Sequence, residues 1–303
     1  LLHKRAISLK PSKYSFRQYD LGLDEWLAQG NEKRITDHWE KLLRNIKPIA
    51  YPFLKNRTPK NVHWNIFDHY RFHPEWNDRI KRFSDAHSTS TFVIFSTIIK
   101  LLVGRYTNNL DSYYATSTDA RTGSCQAQIV GDFANLLLVR NRLKKSRTFF
   151  EQLEVDKQAL YSSLDNKVFA INRLKSQLDN PTHPTDQPFR QLQIVKGPDT
   201  GDSLNLDGII NTSLPRKKVN FQSRIGFVFR KTEDRMELTL SYAPDMFVAH
   251  GMERFIHNFQ WFVRLVLETP NIKFNQLPDL SNPSAYRKPI SNSEFKESFL
   301  RPL

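Results

Sequence analysis

The sequence predicts an α/β fold of the α+β two-layer kind, a mixed β-sheet with helices packed on it. Helix-period and strand-period segments alternate along the 303 residues. Two of the later strand segments are joined by a short polar turn, KTEDR at 231–235. Glycine is scarce, at 10 residues, and neither G-x-G-x-x-G nor G-x-x-x-x-G-K-[ST] occurs, which disfavours nucleotide-binding α/β folds.

Residues 1–30 read as an extended or irregular lead-in, punctuated by Pro11, Gly22 and Gly30. Ile35, Trp39, Leu42 and Leu43 recur at helical spacing and predict a helix over 32–45. Trp64, Ile66 and Phe67 suggest a strand within 61–72, and Pro74 suits the first turn of a helix over 75–86. Ser90 or Thr91 caps a strongly apolar helix reaching Tyr106, whose apolar residues lie nearly all round and imply burial on several sides. A strand over 110–117, a polar loop over 117–131 and a buried strand over 136–140 follow. Ser146 opens a helix to Leu164, and a second helix covers 167–178. Pro181 and Pro184 make 179–187 a loop. Strands are predicted over 189–195, 206–212, 224–230 and 236–242. Residues 246–268 form the clearest amphipathic helix, with Met252, Phe255, Phe259, Phe262, Val263 and Val266 on one face. The predicted organisation is a lead-in over 1–30, one lobe over 31–281 and a linker or tail over 282–303.

A single cysteine, Cys125, excludes an intramolecular disulfide and a cysteine-cluster metal site. The apolar run at 91–104 is too short to span a bilayer and Lys100 interrupts it, while LLHKRAISLK lacks the pattern of a signal peptide. The expectation is a cytoplasmic part of something longer, with no membrane partner. The net charge of +14 is dispersed, with short clusters at 142–147 and 216–218 and no basic helical stripe, so nucleic acid is not an expected partner. His69 and His73 have i, i+4 spacing, but Pro74 follows in an extended segment, and no metal site is expected. His250 and His257 read as surface or boundary residues of the amphipathic helix, and Cys125 has no histidine near it in sequence.

One stretch carries a specific likeness. VGDFANLLLVR, residues 130–140, resembles the I-G-x-F-x-N-x-L-x-x-R signature of nonribosomal peptide synthetase condensation domains, with Gly131, Phe133, Asn135, Leu137 and Arg140 in place. ATSTDARTG with Arg121, GRYTN at 104–108 and DEWLAQGNEKRITDHWEKLL at 24–43 are similar to other segments of that family. So are DQPFRQLQIV at 186–195, the run at 238–263 and LPDLS at 277–281, all in family order. The likeness implies a chloramphenicol acetyltransferase-like lobe. In the family two such lobes form a V around a tunnel, where the amine of one carrier-tethered substrate attacks the thioester of another.

The departures bear on function. The family's H-H-x-x-x-D-G is absent: no His-His pair exists, and none of the nine histidines has an aspartate four residues on. The resemblance therefore implies the C-terminal lobe alone, with no catalytic residue of its own and no activity in isolation. SLDNKVF at 163–169 keeps only Asp165 and an approximate Phe169 of H-Q-D-x-P-F-E, and SFRQYDLGL at 15–23 keeps only the aromatics of a tyrosine–aspartate–tryptophan pattern. The resemblance also implies the partners: aminoacyl or peptidyl carrier proteins, the other lobe and an adjacent adenylation domain. No cofactor is expected to bind directly, the substrates being carried on phosphopantetheine.

Within the stretch, Gly131 is expected to let backbone approach the tunnel closely. Asn135 either presents its amide to a pantetheine amide or the reacting groups, or caps a buried backbone group. Asp132 reads more as a solvated turn acid than as a tunnel residue. Arg121 and Arg140 suit bidentate carboxylate pairs, within the lobe or across the lobe interface. A different class of reading is a condensation-like module that docks carrier proteins or another synthetase domain without catalysis, which the degenerate SLDNKVF favours.

Overall fold

The computed structural model describes residues 14–55, 65–168, 187–197, 223–232, 235–282 and 300–302. Among these residues seven strands form one mixed sheet: β1 (Ile66–Phe72), β2 (Asp111–Asp119), β3 (Ala134–Arg142), β4 (Leu192–Lys196), β5 (Ile225–Lys231), β6 (Met236–Tyr242) and β7 (Leu300–Pro302), in the order β3-β2-β4-β5-β6-β1-β7. β4 runs parallel to both β2 and β5, and the remaining pairs are antiparallel. The helices are α1 (Phe16–Trp26), α2 (Glu32–Leu43), α3 (Pro74–Ala86), α4 (Thr91–Thr107), α5 (Ser124–Ala127), α6 (Phe149–Leu164), α7 (Pro188–Gln191) and α8 (Ala249–Glu268).

The core forms where aromatic faces meet. The Phe95 ring of α4 stacks on Phe229 of β5 with centroids 4.4 Å apart, and Phe255 and Phe259 of α8 close over Phe227 of the same strand. Each such ring removed from water contributes about 1.5–3 kcal/mol. Leu137, Leu138 and Val139 of β3 are all fully buried. Successive strand residues face opposite sides, so both faces of this edge strand are covered. One of those covers is α6, whose Ser163 hydroxyl donates to the Leu138 carbonyl at 2.8 Å.

α4 is buried all round, as its sequence predicts, and this buries a charge. Lys100 Nζ donates to Asn141 Oδ1 at 2.7 Å and to Asp156 Oδ1 at 2.8 Å. Asn141 Nδ2 and Gln152 Nε2 donate to that same aspartate oxygen, and Arg147 donates to Gln152 Oε1 at 2.9 Å. Burial pushes the Lys100 ammonium below the usual lysine range, and Asp156 beside it opposes that shift.

Five parts of the sequence reading change. Residues 16–26 are helical where an extended lead-in is predicted, because Ser15 and Gln18 form a reciprocal capping box. Gly30, at φ 96°, takes the bend between α1 and α2. The loop over 117–131 contains the short α5, and the strand predicted over 189–195 opens as α7, with Pro188 in its first turn. In the predicted tail, Leu300–Pro302 pairs with β1 as β7. α6 is capped by Thr148, with Glu151, in place of Ser146. The predicted strand over 206–212 lies outside the described residues, as does the helix over 167–178 beyond Val168. Among the described residues no single helix is long and apolar enough to cross a membrane.

Candidate functional site

The stretch at 130–140 crosses from a turn into β3. Asp132 Oδ1 accepts the Ala134 N–H at 2.9 Å, an Asx turn that aims the chain into the strand. Asp132 is exposed, and so is Val130, at 94 %. Gly131 lies under the Phe16 ring of α1: a Cβ there would sit 2.2 Å from Phe16 Cδ2. The glycine therefore admits a ring from α1, the segment predicted to be irregular.

Phe133 is the centre of this joint. It is 4 % exposed, with Phe16 edge-on at 5.1 Å, Tyr19 at 4.7 Å and the Arg121 guanidinium 3.9 Å above its ring centroid. Arg121 also closes the loop between β2 and β3. Its Nε donates to the Gln126 carbonyl at 3.0 Å, its Nη2 to that of Ile129 at 2.9 Å, and its Nη1 pairs with Asp119 at 3.1 Å. The Arg121 backbone N–H, followed by its side chain, holds the Asp119 carboxyl below the usual range. Burial, reinforced by Asp20 and Asp119, raises the Tyr19 phenol.

Asn135 Nδ2 donates to the Lys167 carbonyl at 2.7 Å, and Lys167 Nζ donates to the Arg121 carbonyl at 2.7 Å. The mouth of β3, the turn after α6 and the loop after β2 are thus one hydrogen-bonded unit. Arg140, at the other end of β3, grips Asp111 through Nε and Nη2 at 2.8 and 2.6 Å and donates from Nη1 to the carbonyls of Leu42 and Arg44. It pins the end of α2 to the sheet.

A cavity of about 590 Å³ opens beside this unit. Tyr19, Leu23 and Trp26 of α1 form one wall; Thr122, Cys125 and Ile129 form another; Arg34, Asp165 and Val168 complete it. Among the described residues no histidine lines it, and Asp165 is the carboxylate on its wall. Among the described residues no group of His, Cys, Asp or Glu could hold a metal ion. Of the sequence candidates, Gly131, Asp132, Asn135 and Arg121 all come together at this joint, whereas His69 donates to or accepts from Thr239 and His250 pairs with Glu253 elsewhere. The α1 residues Phe16, Tyr19 and Trp26 are the ones sequence reasoning missed. The S-x-x-Q spacing at Ser15 is the signal that exposes them.

Gly131→Ala is expected to cost about 1–3 kcal/mol by overpacking against Phe16, and to make α1 sensitive to limited proteolysis. Combined with Phe16→Ala, its cost should shrink, since the two changes share one contact. Additive losses in urea unfolding would show that the clash is relieved some other way.

Comparison with known proteins agrees with this layout. Tyrocidine synthase 2 of Brevibacillus parabrevis is 23% identical over 216 residues, covering 70% of this chain and 6% of that protein. Nonribosomal peptide synthetase agiA of Aspergillus flavus is 20% identical over 288 residues, covering 94% of the chain and 4% of that protein. The X-domain from teicoplanin biosynthesis superposes with a TM-score of 0.74 at 18% identity, over 90% of this chain and 64% of that one. The condensation domain from the Monacolin K polyketide synthase MokA gives 0.71 at 16% identity, over 88% and 64%. The chain thus spans a few per cent of the length of these synthetases and just under two thirds of these solved domains. The family model for the condensation domain matches residues 1–285, and the chain belongs to the condensation domain family.

Proposed function

We propose that the chain is the C-terminal lobe of an amide-forming condensation domain. It supplies one wall of the tunnel and a docking surface for carrier proteins, in the cytoplasm and alongside an adenylation domain. An amine on one phosphopantetheine-tethered aminoacyl group attacks the thioester carbonyl of another, and the thiol leaves. The observation that carries this reading is the joint built by Gly131, Phe133 and Asn135: these signature residues hold α1 and the turn after α6, which line a 590 Å³ cavity with no histidine among its described walls. The imidazole belongs to the other lobe, and this lobe encloses and orients.

The test is an assay with donor-loaded and acceptor-loaded carrier proteins, read by mass spectrometry of the carrier-bound product. The 303-residue chain alone is expected to yield none, and the chain joined to a lobe carrying H-H-x-x-x-D-G to yield amide. In the joined protein Asn135→Ala is expected to slow condensation by about 10- to 100-fold with little change in Tm. Product from the chain alone, or none from the joined protein, overturns the reading. Equal loss of fold and rate would assign Asn135 to structure through its bond to Lys167.

A second reading, a docking module without catalysis, is favoured by the degenerate SLDNKVF, in which Asp165 and Val168 line the cavity. A solved complex pairs the X-domain with OxyB from teicoplanin biosynthesis, and that X-domain shares this fold with a TM-score of 0.74. Carrier binding by the joined protein without any product would select this reading.

A further inference from the structure

A second cavity, of about 480 Å³, lies at the ends of β4, β5 and β6, away from the stretch at 130–140. Its volume lies in the range of small-ligand sites. Phe92 and Phe95 of α4 and Phe229 of β5 give it an apolar floor. Around that floor stand Lys81, Lys196, Arg230, Lys231 and Arg235, with Asp78 and Asp85 as the acids among the described residues. Lys81 is held by Asp85 at 2.8 Å, so much of the acidic charge is already matched.

Two lining residues carry buried nitrogens without a hydrogen-bond partner: Arg230 Nε and Asn77 Nδ2. Leaving a buried donor unmade costs about 1–3 kcal/mol, more for a charged group, so two at one cavity call for an acceptor. Asn77 is already oriented, because its Oδ1 accepts the Met236 N–H at 3.3 Å. Arg230 is held as well: its stem packs on Gly197, where a Cβ would lie 2.6 Å from Arg230 Cγ. The α4 N-terminus adds to the same polarity. Ser90 Oγ accepts the Val93 N–H, and the first helical residues, Thr91 and Phe92, line the cavity with the positive end of a 17-residue helix.

We propose that this cavity binds a small organic anion with a flat apolar body, its carboxylate or phosphate head held by Arg230, Lys231 and the Asn77 amide, and its body laid against Phe92 and the Phe95–Phe229 stack. Cationic rim and aromatic floor together select such a ligand over inorganic phosphate, which has no apolar body, and over a neutral aromatic, which brings no negative charge to the rim. The inference stands apart from the condensation reading, and its failure leaves that reading untouched.

Calorimetric titration of the 303-residue chain with 2-naphthoate, 2-naphthyl phosphate, neutral 2-naphthamide and inorganic phosphate tests it. Either or both aryl anions are expected to bind at least about tenfold more tightly than the amide and the inorganic ion, the worth of one charge-assisted hydrogen bond. The stronger of the two identifies the head group. Arg230→Gln, which keeps the stem over Gly197, is expected to weaken the aryl anion by about tenfold, and Lys231→Gln, at an exposed site, by a smaller factor without change in Tm. Equal affinity for naphthoate, naphthyl phosphate and naphthamide, no binding by either aryl anion, or undiminished binding by a folded Arg230→Gln chain overturns the proposal. If Arg230→Gln does not fold, the anion–amide comparison on the unaltered chain decides alone.

Discussion

Asp156→Ala is expected to destabilise the lobe by about 3–5 kcal/mol, the usual cost of stranding one member of a buried ion pair. Lys100 is 0 % exposed and Asp156 2 %. Three donors converge on Asp156 Oδ1, from Lys100, Asn141 and Gln152. Removing the carboxylate leaves an ammonium inside α4 with Asn141 Oδ1 as its remaining acceptor. Urea unfolding measures the loss. Replacing both partners, Lys100→Met with Asp156→Leu, should recover most of it, since well-packed apolar residues often match a buried pair in stability. A single-variant loss below about 1 kcal/mol would mean that water reaches the site. A double variant as unstable as the single one would mean that the packing, and not the charge, holds α4 to α6.

Phe133→Ala is the second large change. The ring is 4 % exposed and is shared by α1, through Phe16 and Tyr19, and by Arg121 from the loop after β2. Deleting a buried phenylalanine costs about 3–5 kcal/mol. Here the loss should be local as well as global, because α1 has no buried residue of its own and depends on such contacts. Hydrogen exchange is expected to show α1 amides losing protection at denaturant concentrations where β5 and β6 remain protected. Conserved protection of α1 would move its anchor elsewhere, and uniform loss across the sheet would make Phe133 an ordinary core residue.

The parts of the fold that could be read in the sequence are those where one physical signal dominates. α4 and α8 show themselves by apolar residues alone, and β3 by the unbroken run from Leu136 to Val139. α1 is hidden because its helix is mostly polar, its two aromatic contacts fall on a ring more than a hundred positions away, and Gly22 reads as a break. β7 is hidden for a related reason: three residues carry no periodicity, and only the waiting edge of β1 makes them a strand. The site divides in the same way. VGDFANLLLVR marks the place by likeness. Its partners are long-range: Lys167 for Asn135, Phe16 for Gly131, and the Leu42 and Arg44 carbonyls for Arg140. The orphaned nitrogens of Asn77 and Arg230 exist only once α3 and β5 are brought together.

The pairing of β7 with β1 also bears on how the molecule is made. Phe72 finds its neighbour only when Leu300 has left the ribosome, so among the described strands this stretch of border is the last to gain its partner. An open border of N–H and C=O groups invites another nascent chain to add to it. Slow translation, or a crowded polysome, should therefore favour clumping over solitary folding until β7 is in place.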